Sequence, residues 1–233
     1  MRNTPVILTH DLTKSYGTVM AVHGLNLSVE PNRITAFLGQ NGAGKSTTIK
    51  MLLGMIRPTC GEGTVLGKRI ANAEENREMR RKVAYVAENK PLYSYMTVEQ
   101  TVRFASSFYS DWRADVATKL LSEYRLPNKR KVKSLSKGMR TKLALLLAFA
   151  RRPELLILDE PTEGIQPNIV HEIGDIVLRL NKEEGLTVLL VEQKLPFARR
   201  VASEFCILDK GRRVAAGPIG QLTDDVVRAH LSV

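Results

Sequence analysis

One loop constrains this 233-residue chain more than any other feature in it. The apolar run Ile34–Leu38 leads straight into GQNGAGKST, residues 39–47, and Gly44–Leu53 then reads as a helix. This is G-x-x-x-x-G-K-[ST] with a strand before it and a helix behind it. Gly39, Gly42 and Gly44 let the backbone curl until successive N–H groups point inward at anionic oxygens. The helix N-terminus adds its partial positive charge. Lys45 is placed to reach the β- and γ-phosphates of a nucleotide and the Ser46 hydroxyl to ligate Mg²⁺, with Asn41 and Thr47 in the same loop. The alternative, a glycine-rich turn with a chance lysine, has odds of about one in a hundred in a chain of this length. The order G-x-x-G-x-G excludes the dinucleotide-binding G-x-G-x-x-G loop. The loop predicts binding of ATP or GTP.

A second apolar run, Leu155–Leu158, ends in Asp159-Glu160. Alone, such a pair is an ordinary polar loop. Beside a phosphate loop, Asp159 is placed to share the magnesium held by Ser46. Glu160 is then suited to take a proton from the attacking water or to orient it.

Short apolar runs alternate with longer helical patterns, which predicts an α/β domain with a largely parallel sheet. Thr187–Val191 is a further strand, Pro167–Glu184 a helix stopped by Gly185, and Glu204–Leu208 with Arg213–Ala216 a hairpin. Val6–Thr9, Leu25–Val29 and Gly63–Leu66 read as short, half-buried strands of a small antiparallel layer. Residues 90–150 read as a mostly helical insert, with a capping box at Thr97-x-x-Gln100 and helices over Arg113–Tyr124 and Ser136–Ala150. Without a linker or repeat, 1–233 reads as one domain.

Composition narrows the class. Apolar residues at 43% and charged residues at 25% are those of a globular chain. The longest apolar run, Leu143–Ala150, is too short to span a bilayer, and Met1–Asp11 lacks a secretory pattern. The two cysteines, Cys60 and Cys206, lie in no metal or disulfide motif, as in a reduced, cytosolic chain.

Between the two nucleotide motifs stands LSKGM, residues 135–139. With GQNGAGKST, LLILDEPT and the preceding Tyr16-Gly17, it makes nearly the whole chain resemble the ATP-binding subunits of ABC transporters. The resemblance implies a P-loop NTPase with a RecA-like core, an antiparallel β layer and a helical subdomain. It implies a head-to-tail homo- or heterodimer in which Ser136 and Gly138 of one subunit face the ATP held by Lys45 of the other. Tyr16 would stack on adenine. The partners would be integral permease subunits, with the loop Asn89–Met96 touching them, and the location the inner face of the cell membrane.

Three positions depart from the family pattern. Glu88 stands where a glutamine senses the metal, Gln166 where an aspartate follows the second motif, and Gln193 where a histidine is expected. A Gln193 amide still donates to a γ-phosphate but does not titrate. The alternatives left open are a hydrolysis-impaired binding module and a non-transport ATPase of repair or assembly. The chain up to about Thr162 is similar to small exporter-type ATPases. From Glu163, EGIQPNIVHEIG and LTVLLVEQKLPFARRVA are similar to urea and branched-chain amino-acid importer ATPases, which suggests a mosaic.

The net charge of +11 is concentrated. Residues 121–152 carry ten Lys/Arg against one acid, Glu123. A solvated face accounts for Lys129–Lys133, whereas Lys137 and Arg140 flank LSKGM and would attract polyphosphate. Nucleic acid is the weaker reading, because few aromatics are interleaved there and aromatics make up only 6% of the chain.

Overall fold

The computed structural model describes residues 4–231, so the first three residues of the Met1–Asp11 stretch lie outside the described residues. Two sheets form the frame. The larger has six strands in the order β11-β10-β4-β9-β8-β7. Its parallel strands are β4 (Ile34–Leu38), β7 (Val83–Val86), β8 (Leu155–Asp159), β9 (Thr187–Glu192) and β10 (Glu204–Asp209), with β11 (Arg212–Pro218) antiparallel at the edge. The β4, β8 and β9 strands are buried along their whole length. This is why they read as unbroken apolar runs: both faces of the sheet are covered.

The two faces serve different cores. Phe37, Leu155, Ile157, Leu189 and Val191 point into one with the smaller sheet and α1 (Lys45–Leu52). Their alternate neighbours Leu38, Leu156, Leu158, Val188 and Leu190 point into the other. There they meet α5 (Lys137–Phe149), α6 (Pro167–Glu184) and α7 (Leu195–Val201). Period-two alternation thus places two layers on one sheet.

The smaller sheet is antiparallel, with β1 (Ile7–Tyr16) between β2 (Val19–Leu25) and β5 (Cys60–Val65), β6 (Lys68–Arg69) beyond β5, and β3 (Ser28–Val29) also on β1. It corrects two sequence expectations. The strand expected at Val6–Thr9 starts at Ile7 and runs on to Tyr16, with its register broken around Asp11, which has φ +48°. Leu25–Val29 is not one strand: Leu25 ends β2, and Ser28–Val29 returns to pair with Ile7 and Leu8. A register break spoils the simple alternation by which such strands are recognised.

Between β7 and β8 lie α3 (Val98–Ser106), α4 (Ala114–Glu123) and α5. The Thr97–Gln100 capping box is formed in both directions. Gly185 closes α6 in the left-handed conformation, φ +65°. The helices α2 (Ala73–Lys82) and α8 (Asp224–His230) complete the chain. Among the described residues no helix is long and apolar enough to cross a membrane.

Candidate functional site

The carboxyl ends of β4, β8 and β9 converge, as ligand sites do in open parallel sheets. A cavity of about 550 Å³ lies there, large enough for a nucleotide. Asn41, Gly42, Gly44, Lys45, Ser46 and Thr47 line it from the loop after β4. The α1 helix begins at Lys45 with no side chain capping it and no acid in its first turn, so its N-terminal dipole is left for a ligand. Gly39 and Gly44 are sterically required: a Cβ would come within 2.5 Å of the Leu208 carbonyl at Gly39 and 2.4 Å of the Ala21 carbonyl at Gly44.

Lys45 is 5% exposed. Its ammonium donates to the carbonyls of Gly39 (2.7 Å) and Gln40 (3.0 Å) and stands 3.7 Å from Glu160 Oε1. Burial pushes its pKa below the ordinary lysine value, and Glu160 and Asp159 pull it part of the way back. Buried and held by carbonyls, this cation is poised for an anionic ligand.

Both carboxylates, Asp159 and Glu160, come from the end of β8. Asp159 ends β8, is 8% exposed and accepts a hydrogen bond from the Tyr85 hydroxyl at 2.9 Å. Burial raises its pKa, with the Tyr85 bond opposing that. Glu160 has φ +45°, a left-handed conformation that turns the chain sharply out of β8, and its N–H donates to the Val191 carbonyl on β9. Gln193, just past β9, donates through Nε2 to Glu160 Oε1 (2.7 Å) and Asn41 Oδ1 (2.8 Å).

The donor set also bears on the metal. Glu88, Glu160 and Glu163 line the cavity and Asp159 stands beside Lys45, so carboxylates outnumber the buried ammonium groups of Lys45 and Lys90. That balance repels a bare polyphosphate and fits one carried with a divalent cation. Among the described residues there is no cluster of three or more His, Cys, Asp or Glu able to hold a metal unaided.

A family model described as ABC transporter matches residues 22–163. The chain belongs to the ABC transporter family. It is 32% identical to the bacitracin transport ATP-binding protein BcrA of Bacillus licheniformis, over 93% of this chain and 71% of that protein. It is 36% identical to a Nod factor export ATP-binding protein I of Rhizobium meliloti, over 96% of this chain and 68% of that protein. Among solved structures, an ATP-binding subunit of an ABC transporter has a TM-score of 0.81 at 31% identity, over 96% of this chain and 92% of that one. The Clostridium perfringens protein cbiO1, part of an ABC transporter complex, shares the fold, with a TM-score of 0.83 at 24% identity over 97% and 94% of the two chains. The chain is an ABC transporter ATP-binding subunit, an ATPase that powers a membrane transporter.

Other residues singled out in this ABC subunit lie away from the cavity. Ser136 caps α5, its hydroxyl accepting from Met139 N–H at 3.2 Å, and it is exposed. Gly138 is buried, and a Cβ there would meet Ile169 Cγ2 at 2.6 Å, so within one chain it serves the packing of α5 on α6. Neither lines the cavity. Tyr16 is 51% exposed at the end of β1, with the Lys14 ammonium 5.1 Å from its ring centre, so it is not a core tyrosine. Gln166 precedes α6 without capping it.

Sequence reasoning missed Tyr85, the partner of Asp159, and Lys90, a buried lysine with φ +41° whose ammonium donates to the Glu88 carbonyl. It also missed Glu192 and Thr162, which hydrogen-bond to one another at the base of the site. Thr162 stood inside LLILDEPT and Glu192 inside LTVLLVEQKLPFARRVA, but no residue type there marks their pairing, and Tyr85 and Lys90 only flank Glu88.

Proposed function

We propose that this subunit binds ATP–Mg²⁺ in the loop cavity and hydrolyses it in a head-to-tail pair. The second ATP-binding subunit is a copy of itself or a related chain, and the pair sits on the cytoplasmic face of the membrane beneath integral permease subunits. The observation that carries this reading is the separation of Ser136 and Gly138 from the cavity. Ser136, exposed at the N-terminus of α5 with Gly138 two residues on, makes a second anion site, and a second chain is needed to bring a phosphate to it.

In this reading Lys45 and the N–H groups of residues 39–47 bind the β- and γ-phosphates, and Tyr16 offers a face for the adenine. Ser46 and Asp159 would hold Mg²⁺, with Glu88 beside them; when bound, the metal neutralises phosphate charge. Glu160 takes the proton of the attacking water or orients it, and Gln193 holds the Glu160 carboxylate and donates toward the γ-phosphate. The exposed aromatic run Tyr93, Tyr95, Phe104 and Phe108 begins in the loop expected to meet the permease and continues onto and past α3.

Size-exclusion chromatography with light scattering tests the pairing. The Glu160→Gln chain is expected to run as a dimer with ATP and Mg²⁺ and as a monomer when either is withheld. A monomer under all three conditions would overturn the head-to-tail reading.

A further inference from the structure

Beyond their last shared ladder bonds, β8 and β9 are joined by a buried cluster centred on Glu192 and Thr162, neither of which lines the cavity. Glu192, the last residue of β9, is 2% exposed and lines no part of the cavity. Its carboxylate is nevertheless fully engaged. Oε1 accepts from the N–H (3.2 Å) and the hydroxyl (2.6 Å) of Thr162, and Oε2 accepts from the N–H groups of Gln193 (3.1 Å) and Lys194 (3.2 Å). Lys194 then returns to the same threonine, its ammonium donating to the Thr162 carbonyl at 3.0 Å and lying 3.9 Å from Glu163 Oε2. Thr162 is fully buried and is held by Glu192 through its N–H and hydroxyl and by Lys194, just past β9, through its carbonyl.

The position of this cluster gives it a consequence. Glu160 lies two residues before Thr162, in a left-handed backbone conformation that a non-glycine residue keeps only when its surroundings enforce it. Gln193 lies one residue after Glu192 and donates to Glu160 Oε1. The turn carrying Glu160 and the turn carrying Gln193 therefore share one anchor, the Glu192 carboxylate. Burying a carboxylate is costly unless donors surround it, and here four donors come from these two turns alone.

We propose that Glu192 is a positioning residue for ATP hydrolysis: through Thr162 and the Gln193 N–H it fixes Glu160 and Gln193 relative to each other without touching ATP. The inference rests on the reading of Glu160 as the residue that handles the water. It predicts a defect chiefly in turnover, because the Glu192 carboxylate bonds to neither Lys45 nor the phosphate loop, and small misplacements of a reacting group cost roughly 100-fold.

The test is steady-state ATPase activity of the full chain, with kcat and KM for ATP determined for four variants beside the parent. Thr162→Val keeps the shape and removes the hydroxyl. Glu192→Gln keeps the size, but an amide has one acceptor oxygen, so either orientation turns an NH₂ against N–H donors. Both are expected to lose kcat by about 10- to 100-fold with KM within about twofold of the parent. Thr162→Ser, which keeps the hydroxyl, is expected to return kcat to within about twofold of the parent. Full turnover in Thr162→Val and Glu192→Gln beside an inactive Glu160→Gln would overturn the anchor alone. A loss shared equally by Thr162→Ser, or one carried in KM, would also overturn it, as expected of a merely structural contact. Full turnover in Glu160→Gln would overturn the reading of Glu160 and the inference with it.

Discussion

The side-chain amide of Gln193 joins Glu160 on the β8 turn to Asn41 in the phosphate loop, at 2.7 and 2.8 Å. One uncharged group thus bridges the turn after β8 and the loop after β4. Removing it should loosen both. Gln193→Ala loses hydrogen bonds to a carboxylate and to an amide, worth about 1.5–3 kcal/mol for the charged one, so kcat should fall roughly 10- to 100-fold. Gln193→His should leave turnover near the parent's but add a titrating group beside Glu160. The ratio of its rate to the parent's should change across about pH 6–7.5, the range of an imidazole. A constant ratio would show that the position takes no part in the pH profile.

Lys45 makes a sharper case. Its ammonium is held by loop carbonyls with the Glu160 and Asp159 carboxylates nearby, and burial disfavours its charge. The folded chain gains little from keeping it, whereas a phosphate ligand gains a charged partner. Lys45→Ala should therefore weaken nucleotide binding by about 3 kcal/mol, roughly 100-fold, in a fluorescent-nucleotide titration. Its melting temperature without nucleotide should stay close to the parent's. A variant that melts early and binds normally would reverse the assignment.

Asp159 illustrates the cost of burying a carboxylate. Burial raises its carboxyl above the ordinary value; Glu160 and Glu88 add to this, and Tyr85 and Lys45 oppose it. The folded chain holds this proton more tightly than the unfolded chain. Between the ordinary and the raised pKa it therefore binds more protons, and stability falls as pH rises through that window. Asp159→Asn removes the penalty while leaving an oxygen for the Tyr85 hydroxyl. Without nucleotide and Mg²⁺, it should melt higher than the parent, by a margin that grows as pH is raised from acid to neutral. A margin that shrinks over that range would give the shift the wrong sign.

What the sequence revealed and what it hid follow from where the information lies. The β4, β8 and β9 strands and the loop after β4 were legible because burial on both faces and phosphate chemistry each demand particular residues in a row. The α2 helix was not: AEENREMRRK buries only Asn76 and Met79 and has no apolar face to detect. Its supports are the Asn72 side chain accepting at its start, acids in its first turn and bases in its last. In the site, Lys45, Asp159 and Glu160 stood in motifs. Glu192 and Thr162 are 30 residues apart and meet only because β8 and β9 are neighbours in the sheet. Gly138 shows the reverse, a motif residue whose packing against Ile169 no motif discloses.

The two inner glycines of the phosphate loop are under different demands, and stability separates them. Gly44 has φ +104°, and a Cβ there would meet the Ala21 carbonyl at 2.4 Å and Val22 Cγ2 at 3.3 Å. That carbonyl belongs to β2, which is itself tied to the turn before β11 by the His23 N–H to Gly211 carbonyl bond, so it has little room to retreat. Gly42 has φ +82° but open space around it. Gly42→Ala therefore incurs backbone strain alone, about 1–2 kcal/mol. Gly44→Ala adds overpacking to the strain, for a total of about 2–5 kcal/mol. In a chain of this size each kcal/mol moves the melting temperature by about 2–4 °C. Calorimetry should thus find Gly44→Ala melting roughly 5–15 °C below the parent and Gly42→Ala only a few degrees below it. Equal shifts for the two would mean that β2 yields to the methyl group, and that close approach is not what reserves Gly44 for glycine.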